Sequence, residues 1–345
     1  MKRILYFTNI EVPYKVKFFN ELSKKTELTV IYERTASSNR DETWAKSVDA
    51  NYKRVFLKGI KCGNENALSL GFIKYLRRSY DEIIISCINS PVQVLAILYM
   101  RFKKIKYTVS LDGEQFIEGN SIKNTLKKFI INGADKYYTA GEKSASTLSE
   151  IVDTDNIKPY YFSPMSEDEL GEHAATENNR EKYVLIVGQY FDYKGLDVAV
   201  KVAREDSSIN YVFVGMGKRT ELFVRELKVE DSNITVIPFL QKPELNKQYC
   251  KASVMLLPSK KECWGLVINE AASFGTPIVA TEGSGAAVEF LKDNYPQYLK
   301  KNDDIKGLYL AIKDLLANEN QQYSLFLKKK SSQYSIERMV EVHAE

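Results

Sequence analysis

The stretch KECWGLVINEAASFGTPIVA, residues 261–280, holds two glutamates, Glu262 and Glu270, with seven residues between them. The apolar run SVMLL ahead of it ends at Pro258 and Ser259, and the pattern from Leu266 to Ser273 predicts a helix. Glu262 then lies in the loop before that helix and Glu270 about one turn inside it, so both can face one pocket. Gly265 lets the backbone approach a ligand closely, and the amides of Gly265, Leu266 and Val267 at a helix start suit a diphosphate. Carboxylates on either side accept hydrogen bonds from hydroxyls. A nucleotide sugar carries its groups in that order: ribose diol, diphosphate, sugar diol.

A second stretch, VLIVGQYFDYKGLDVAV (184–200), runs a buried strand into Gly188 and a loop into Lys194-Gly195, where a helix begins. A lysine beside a helix N-terminus, at a strand's carboxyl end, is placed to hold an anion because free amides and the helix dipole reinforce its charge. Alone, such a lysine is more often an ordinary surface residue.

These groups need a scaffold that gathers several strand ends. In the first half the predicted strands are residues 3–8, 27–32, 52–57, 82–86, 106–110 and 136–140. Helical stretches alternate with them, one opening on Ser90 and another closing on Gly133 as a C-cap. The pattern lapses from Asp153 to about Lys182, a polar and acidic segment read as the linker. It resumes with strands at 183–187, 211–214, 234–237, 253–257 and 277–280. The expectation is an α/β protein: a Rossmann-like domain over 1–165, a linker over 166–182 and a second Rossmann-like domain over 183–330. Residues 331–345 form a C-terminal helix able to pack back on the first domain. Two doubly wound domains would then face each other across a cleft at the carboxyl ends of both sheets.

The 345 residues, 44% hydrophobic and 27% charged, suffice for two cores. The longest apolar stretch, Pro91 to Met100, is about half the ~20 residues of a membrane span. The opening MKRILYFTNI reads as a buried strand rather than a signal peptide. Cys62, Cys87, Cys250 and Cys263 are scattered and only His173 and His343 join them, so neither a disulfide frame nor a nitrogen- and sulfur-ligated metal site is expected. Reduced thiols fit a cytoplasmic protein.

Net charge is +4 but uneven: residues 1–165 hold 26 Lys and Arg against 18 Asp and Glu, and residues 166–345 hold 23 against 27. The basic clusters KVKFFNELSKK, YLRRSY, RFKKIK and KNTLKKF are solvated helix faces on the plainest reading. An anionic membrane surface or a phosphate-bearing acceptor is the sharper one. No nucleic-acid motif accompanies them. Asp153-Thr154-Asp155 and Asp112-Gly113-Glu114 mimic a metal motif, the first as a solvated turn, and Gly215-Met216-Gly217 lacks the third glycine of a dinucleotide fingerprint.

In VGQYFDYKG, FLQKPELNKQYCKASVMLLPS, ECWGLVINEAASFGTPIVA and GSGAAVEFL, together within 183–291, the second half resembles the family 4 glycosyltransferases, retaining enzymes of the GT-B fold. The first half resembles them more loosely, through VPYKVKFFNEL, DGE and GADKYYTAGE. The resemblance implies transfer of a sugar from a nucleotide-diphosphate donor, with a UDP-sugar expected. The acceptor would be a glycan or a polyprenyl-diphosphate-linked saccharide of bacterial surface-polysaccharide synthesis. The protein would work without a metal or other cofactor, at the inner face of the membrane.

It further implies that Glu262 holds the donor sugar's hydroxyls, Glu270 the ribose hydroxyls, and Lys194 the charge on the departing diphosphate. Backbone near Pro238, Phe239 and Leu240 would meet the base, and Gly283, Ser284, Gly285 and Ala286 would line the donor site. Two positions depart from the family pattern. Gln189 stands where an arginine is common, so either Lys194 and the helix dipole suffice or a first-domain cation such as Lys15 closes over the phosphates. Asp112 stands in for a first-domain histidine near the reacting centre; a plain turn residue is its alternative. A nucleotide-sugar epimerase or hydrolase, or a non-catalytic nucleotide-binding subunit, are the competing functions.

Overall fold

A computed structural model of the chain describes all residues except 35–48, 63–65, 78, 87, 114–121, 176–179 and 319, so Cys87 and Glu114 lie outside it. The chain divides into two compact units, Met1–Pro164 with Ile336–Glu345, and Met165–Ser335. Among the described residues no helix is long and apolar enough to cross a membrane, and Cys62, Cys250 and Cys263 are free thiols.

Among the described residues the first unit has nine strands: β1 (Lys2–Ile10), β2 (Thr26–Arg34), β3 (Lys53–Phe56), β4 (Ile60–Cys62), β5 (Asn66–Leu68), β6 (Glu82–Ile85), β7 (Thr108–Leu111), β8 (Lys136–Ala140) and β9 (Ile157–Tyr160). Seven of them form a parallel sheet in the order β3-β2-β1-β6-β7-β8-β9, while β4 and β5 pair as a small antiparallel hairpin. The hairpin, β9 and a helix at Glu167–Ala175 go beyond the expected elements; β9 and the helix lie within the stretch that lacked alternation. Pro159 disguises β9, and it is tolerated there because β9 is the edge of the sheet.

One helix-end expectation holds and one is corrected. Ser90 stands at the N-cap of the helix Pro91–Lys103, yet its hydroxyl donates to the buried Glu33 instead of to the helix. Glu33 also accepts from Gln93 Nε2 (2.8 Å) and the Ala67 amide (3.2 Å), which ties β2, the hairpin and this helix together. Burial pushes the Glu33 carboxyl above its ordinary pKa. Gly133 is not a left-handed C-cap; it makes room, since a Cβ there would stand 1.8 Å from Arg101 Nη1.

One face of the first sheet is polar beneath its helices. Glu82 pairs with Lys2 at 2.7 Å and accepts from Thr108 (2.6 Å) and Tyr138 (3.0 Å). Above this layer lies His343 of the C-terminal helix Ile336–Ala344, 1% exposed and ringed by Tyr138, Tyr160 and Phe18 at 4.4–5.0 Å.

The second unit repeats the plan with β10 (Glu181–Val187), β11 (Asn210–Val214), β12 (Ile234–Ile237), β13 (Ala252–Leu257), β14 (Ile278–Thr281) and β15 (Leu299–Lys300). Its parallel sheet has the order β12-β11-β10-β13-β14-β15. The chain fills one side outward from β10, then returns to fill the other from β13. Loops after β10 and β13 therefore diverge at the switch point, where doubly wound sheets bind ligands.

Burial drives the His343 pKa down to about 4, even though its Nδ1–H donates to Met339 O at 2.7 Å. The folded chain thus refuses a proton that the unfolded chain accepts near pH 6.5. This contribution to stability is complete above pH 6.5 and is lost as pH falls toward 4, to a total of about 3 kcal/mol. Urea unfolding across that range should show the loss, and His343→Phe should flatten it; equal slopes in both proteins would contradict the assignment.

Candidate functional site

Lys194 closes a short 3-10 turn, Asp192–Lys194, on the loop after β10, and Gly195 follows in the left-handed conformation (φ +66°) to open the helix Leu196–Arg204. Glycine is required there twice over, because a Cβ would also stand 1.9 Å from Pro258 O. That close approach brings the loop after β13 alongside. Across the switch point the Lys194 ammonium and the Glu262 carboxylate form an ion pair, with side chains 16% and 15% exposed. Ser259, fully buried, donates to the other oxygen of Glu262 at 2.9 Å.

The Glu262 amide donates to Gly283 O at 2.7 Å, so the loop after β14 joins the other two. Gly265 (φ +104°) opens the helix Leu266–Ser273, which has the predicted bounds and no side-chain cap. A Cβ at Gly265 would stand 2.5 Å from Ser284 Oγ. The Ser284 hydroxyl itself is buried, donating to Trp264 O and capping the helix Gly285–Leu291 through the Ala287 amide at 3.3 Å. Gly285 and Ala286 are buried in that helix, leaving Gly283 the half-exposed member of the group.

Glu270 has different partners. Its carboxylate pairs with Lys242 at 2.5 Å and accepts from Tyr249 at 2.8 Å, both on the helix Lys242–Lys251. Burial, then the charge of Glu270, raise the Tyr249 pKa well above its ordinary value, so the phenol stays a donor. That helix follows directly on Pro238, Phe239 and Leu240, which leave the carboxyl end of β12 with Pro238 exposed and the other two half-buried. The two glutamates thus serve different loops: Glu262 those after β10 and β14, Glu270 the one after β12.

Gln189 is half-buried in the loop after β10. Arg219, from the loop after β11, reaches the same loop: its Nη1 donates to Tyr190 O at 3.1 Å and its guanidinium lies 4.1 Å from the Phe191 ring centre. Sequence reading missed this cation, and the only hint was a basic pair after Gly217. Ser259, Lys242 and Tyr249 were missed as well, because nothing in the spacing marks a residue that orients a carboxylate.

In the first unit, Asp112 directly follows β7 and pairs with Lys15 at 3.1 Å while accepting from Tyr160 at 3.0 Å. Lys15 also donates to Thr8 at 3.2 Å. Burial lowers the Lys15 pKa, but Asp112, Tyr14 and Tyr6 together outweigh it and the ammonium is held above its ordinary value. Tyr6, Tyr14 and Phe18 wall the small cavity beside this pair. Asp153 accepts from the Asp155 amide at 3.2 Å as the cap of a single 3-10 turn. Among the described residues no three His, Cys, Asp or Glu side chains converge as a metal-binding group.

Residues 171–333 match the glycosyl transferases group 1 family. This span takes in every second-half motif on which the family 4 resemblance rested, and the family matched is group 1; the family 4 assignment is corrected accordingly. An uncharacterized glycosyltransferase of Haemophilus influenzae is 30% identical over 65% of this chain and 64% of its own length. The chain spans less than two thirds of the curated relatives it matches. Sucrose-phosphate synthase of Thermosynechococcus elongatus aligns over 99% of this chain and 97% of its own, with TM-score 0.73 and 14% identity. Anabaena HepE, solved in complex with UDP and glucose, aligns over 100% and 98%, with TM-score 0.70 and 15% identity. The fold is GT-B, two Rossmann-like α/β domains with parallel sheets, as the sequence led one to expect.

Within the group 1 segment, Gly195 is the hinge on which the Lys194–Glu262 meeting depends. Gly195→Ala is expected to cost more than about 1 kcal/mol, since both the conformation and the contact with Pro258 are lost. Thermal unfolding checks this, and an unchanged melting temperature would refute the close approach.

Proposed function

We propose that the protein is a glycosyltransferase that moves a sugar from a nucleotide-diphosphate donor, a UDP-sugar, to a hydroxyl of a glycan or of a polyprenyl-diphosphate-linked saccharide. The pathway is bacterial surface-polysaccharide synthesis at the cytoplasmic face of the membrane. The observation that carries the reading is the meeting of Lys194 and Glu262 at the switch point, beside the uncapped helix start at Gly265, inside the segment that matches group 1. HepE, with UDP and glucose in its structure, supports the choice of UDP.

In this reading the donor's diphosphate takes the Lys194 ammonium and the amides of Gly265, Leu266 and Val267. Glu262 then turns to the sugar hydroxyls, and Glu270, steadied by Lys242 and Tyr249, accepts from the ribose. The base lies along the backbone of Pro238, Phe239 and Leu240, and Gly283 to Gly285 bound the sugar side. As the bond from the anomeric carbon to the diphosphate oxygen breaks, Lys194 neutralises the charge left on the diphosphate. The acceptor hydroxyl attacks from the leaving group's face and gives its proton to a diphosphate oxygen, so configuration is retained. Asp112 is the first-unit residue assigned to the acceptor. No metal takes part.

Lys194→Ala and Glu262→Ala should each lower transfer by at least ~100-fold while the melting temperature stays near wild type; near-normal turnover in both would sink the site. Product anomers read by NMR should match the donor, and chelator should leave the rate unchanged. Donor consumed without acceptor would indicate an epimerase or hydrolase instead.

A further inference from the structure

The helix Pro91–Lys103 carries no charged residue before Arg101: its sequence opens PVQVLAILYM. Val92, Ala96, Ile97 and Met100 face the core of the first unit. The outer face is apolar too, with Leu98 and Phe102, one turn apart, 38% and 78% exposed. A helix apolar all round is normally covered on every side. The adjacent helix Ile122–Ile131 adds Phe129, 50% exposed.

Phe129 is held there by Arg101. The guanidinium lies 3.9 Å from the ring centre, and Nη1 donates to Phe129 O at 2.6 Å in the space that Gly133 leaves open. Around the apolar tips stand Lys103, Lys104, Lys106 and Lys128, all exposed. Residues 83–111 and 119–134 contain no Asp or Glu, and Asp135 lies 3.8 Å from Lys106.

We propose that this face docks on an anionic lipid bilayer. Leu98, Phe102 and Phe129 enter the boundary between headgroups and acyl chains, and the surrounding lysines pair with anionic headgroups. A second copy of the chain is disfavoured because it would set one positive rim against another. Nucleic acid would gain from stacking on the two rings but nothing from Leu98.

Co-sedimentation with vesicles tests this at low salt, with no nucleotide or acceptor present, so the result is independent of the proposed transfer reaction. The protein should sediment with phosphatidylcholine–phosphatidylglycerol vesicles and not with phosphatidylcholine alone. The pair Phe102→Ser and Phe129→Ser should weaken binding at least ~10-fold, and Lys103→Gln with Lys104→Gln likewise at least ~10-fold, both at wild-type melting temperature. Failure of the wild type to sediment, equal binding to neutral vesicles, or wild-type binding by the serine variant would overturn the proposal. So would a lipid-free dimer dissolved by Phe102→Ser, or an oligonucleotide that displaces the vesicles; these assign the face to a second copy or to nucleic acid.

Discussion

An ammonium and a carboxylate, each mostly withdrawn from water, face each other where the second sheet reverses direction. Holding two such groups together costs desolvation, so the pair is weak evidence of stability. Its geometry is nevertheless enforced from three sides: Gly195 presses on Pro258, Ser259 fixes the second oxygen of Glu262, and Gly283 receives the Glu262 amide. In the proposed reaction Glu262 keeps Lys194 in place until a diphosphate arrives with more charge. The carboxylate released is then adjacent to the sugar it must hold. Glu270, on the other flank, already has Lys242 and Tyr249 and does not compete for Lys194.

The first unit spends its polar residues differently. Glu82, Tyr138, Lys15, Asp112 and Tyr160 lie under the helices of one sheet face, and the C-terminal helix closes over them with a neutral His343. Because residues Ile336–Glu345 pack with Met1–Pro164, the end of the chain belongs to the unit in which it began. Asp112 and Lys15 satisfy each other, so a substrate that uses either must offer the other a replacement.

The sheets were legible because parallel strands buried on both faces are written as short continuous apolar runs, as in YVLIV and EIIIS. The predicted bounds of the helix Leu266–Ser273 held because Gly265 and Gly275 punctuate it. What spacing could not reveal was partnership. Nothing local marks Ser90 as a donor to Glu33 or Gly133 as a recess for Arg101, and Arg219 reaches its place through a loop two elements away. Motif arithmetic brought Glu262 and Glu270 toward one pocket; the folded chain gives each its own lysine.

The most direct measurement is the thermal stability of the purified protein with saturating UDP, GDP, ADP or CMP, in wild type and Lys194→Ala. A ligand bound only by the folded state at a hundred times its dissociation constant adds about 2.7 kcal/mol, readily seen in the melting temperature. The account predicts that UDP stabilises the wild type and that the effect is lost in the variant. No shift with any diphosphate, or an equal shift without Lys194, would contradict it.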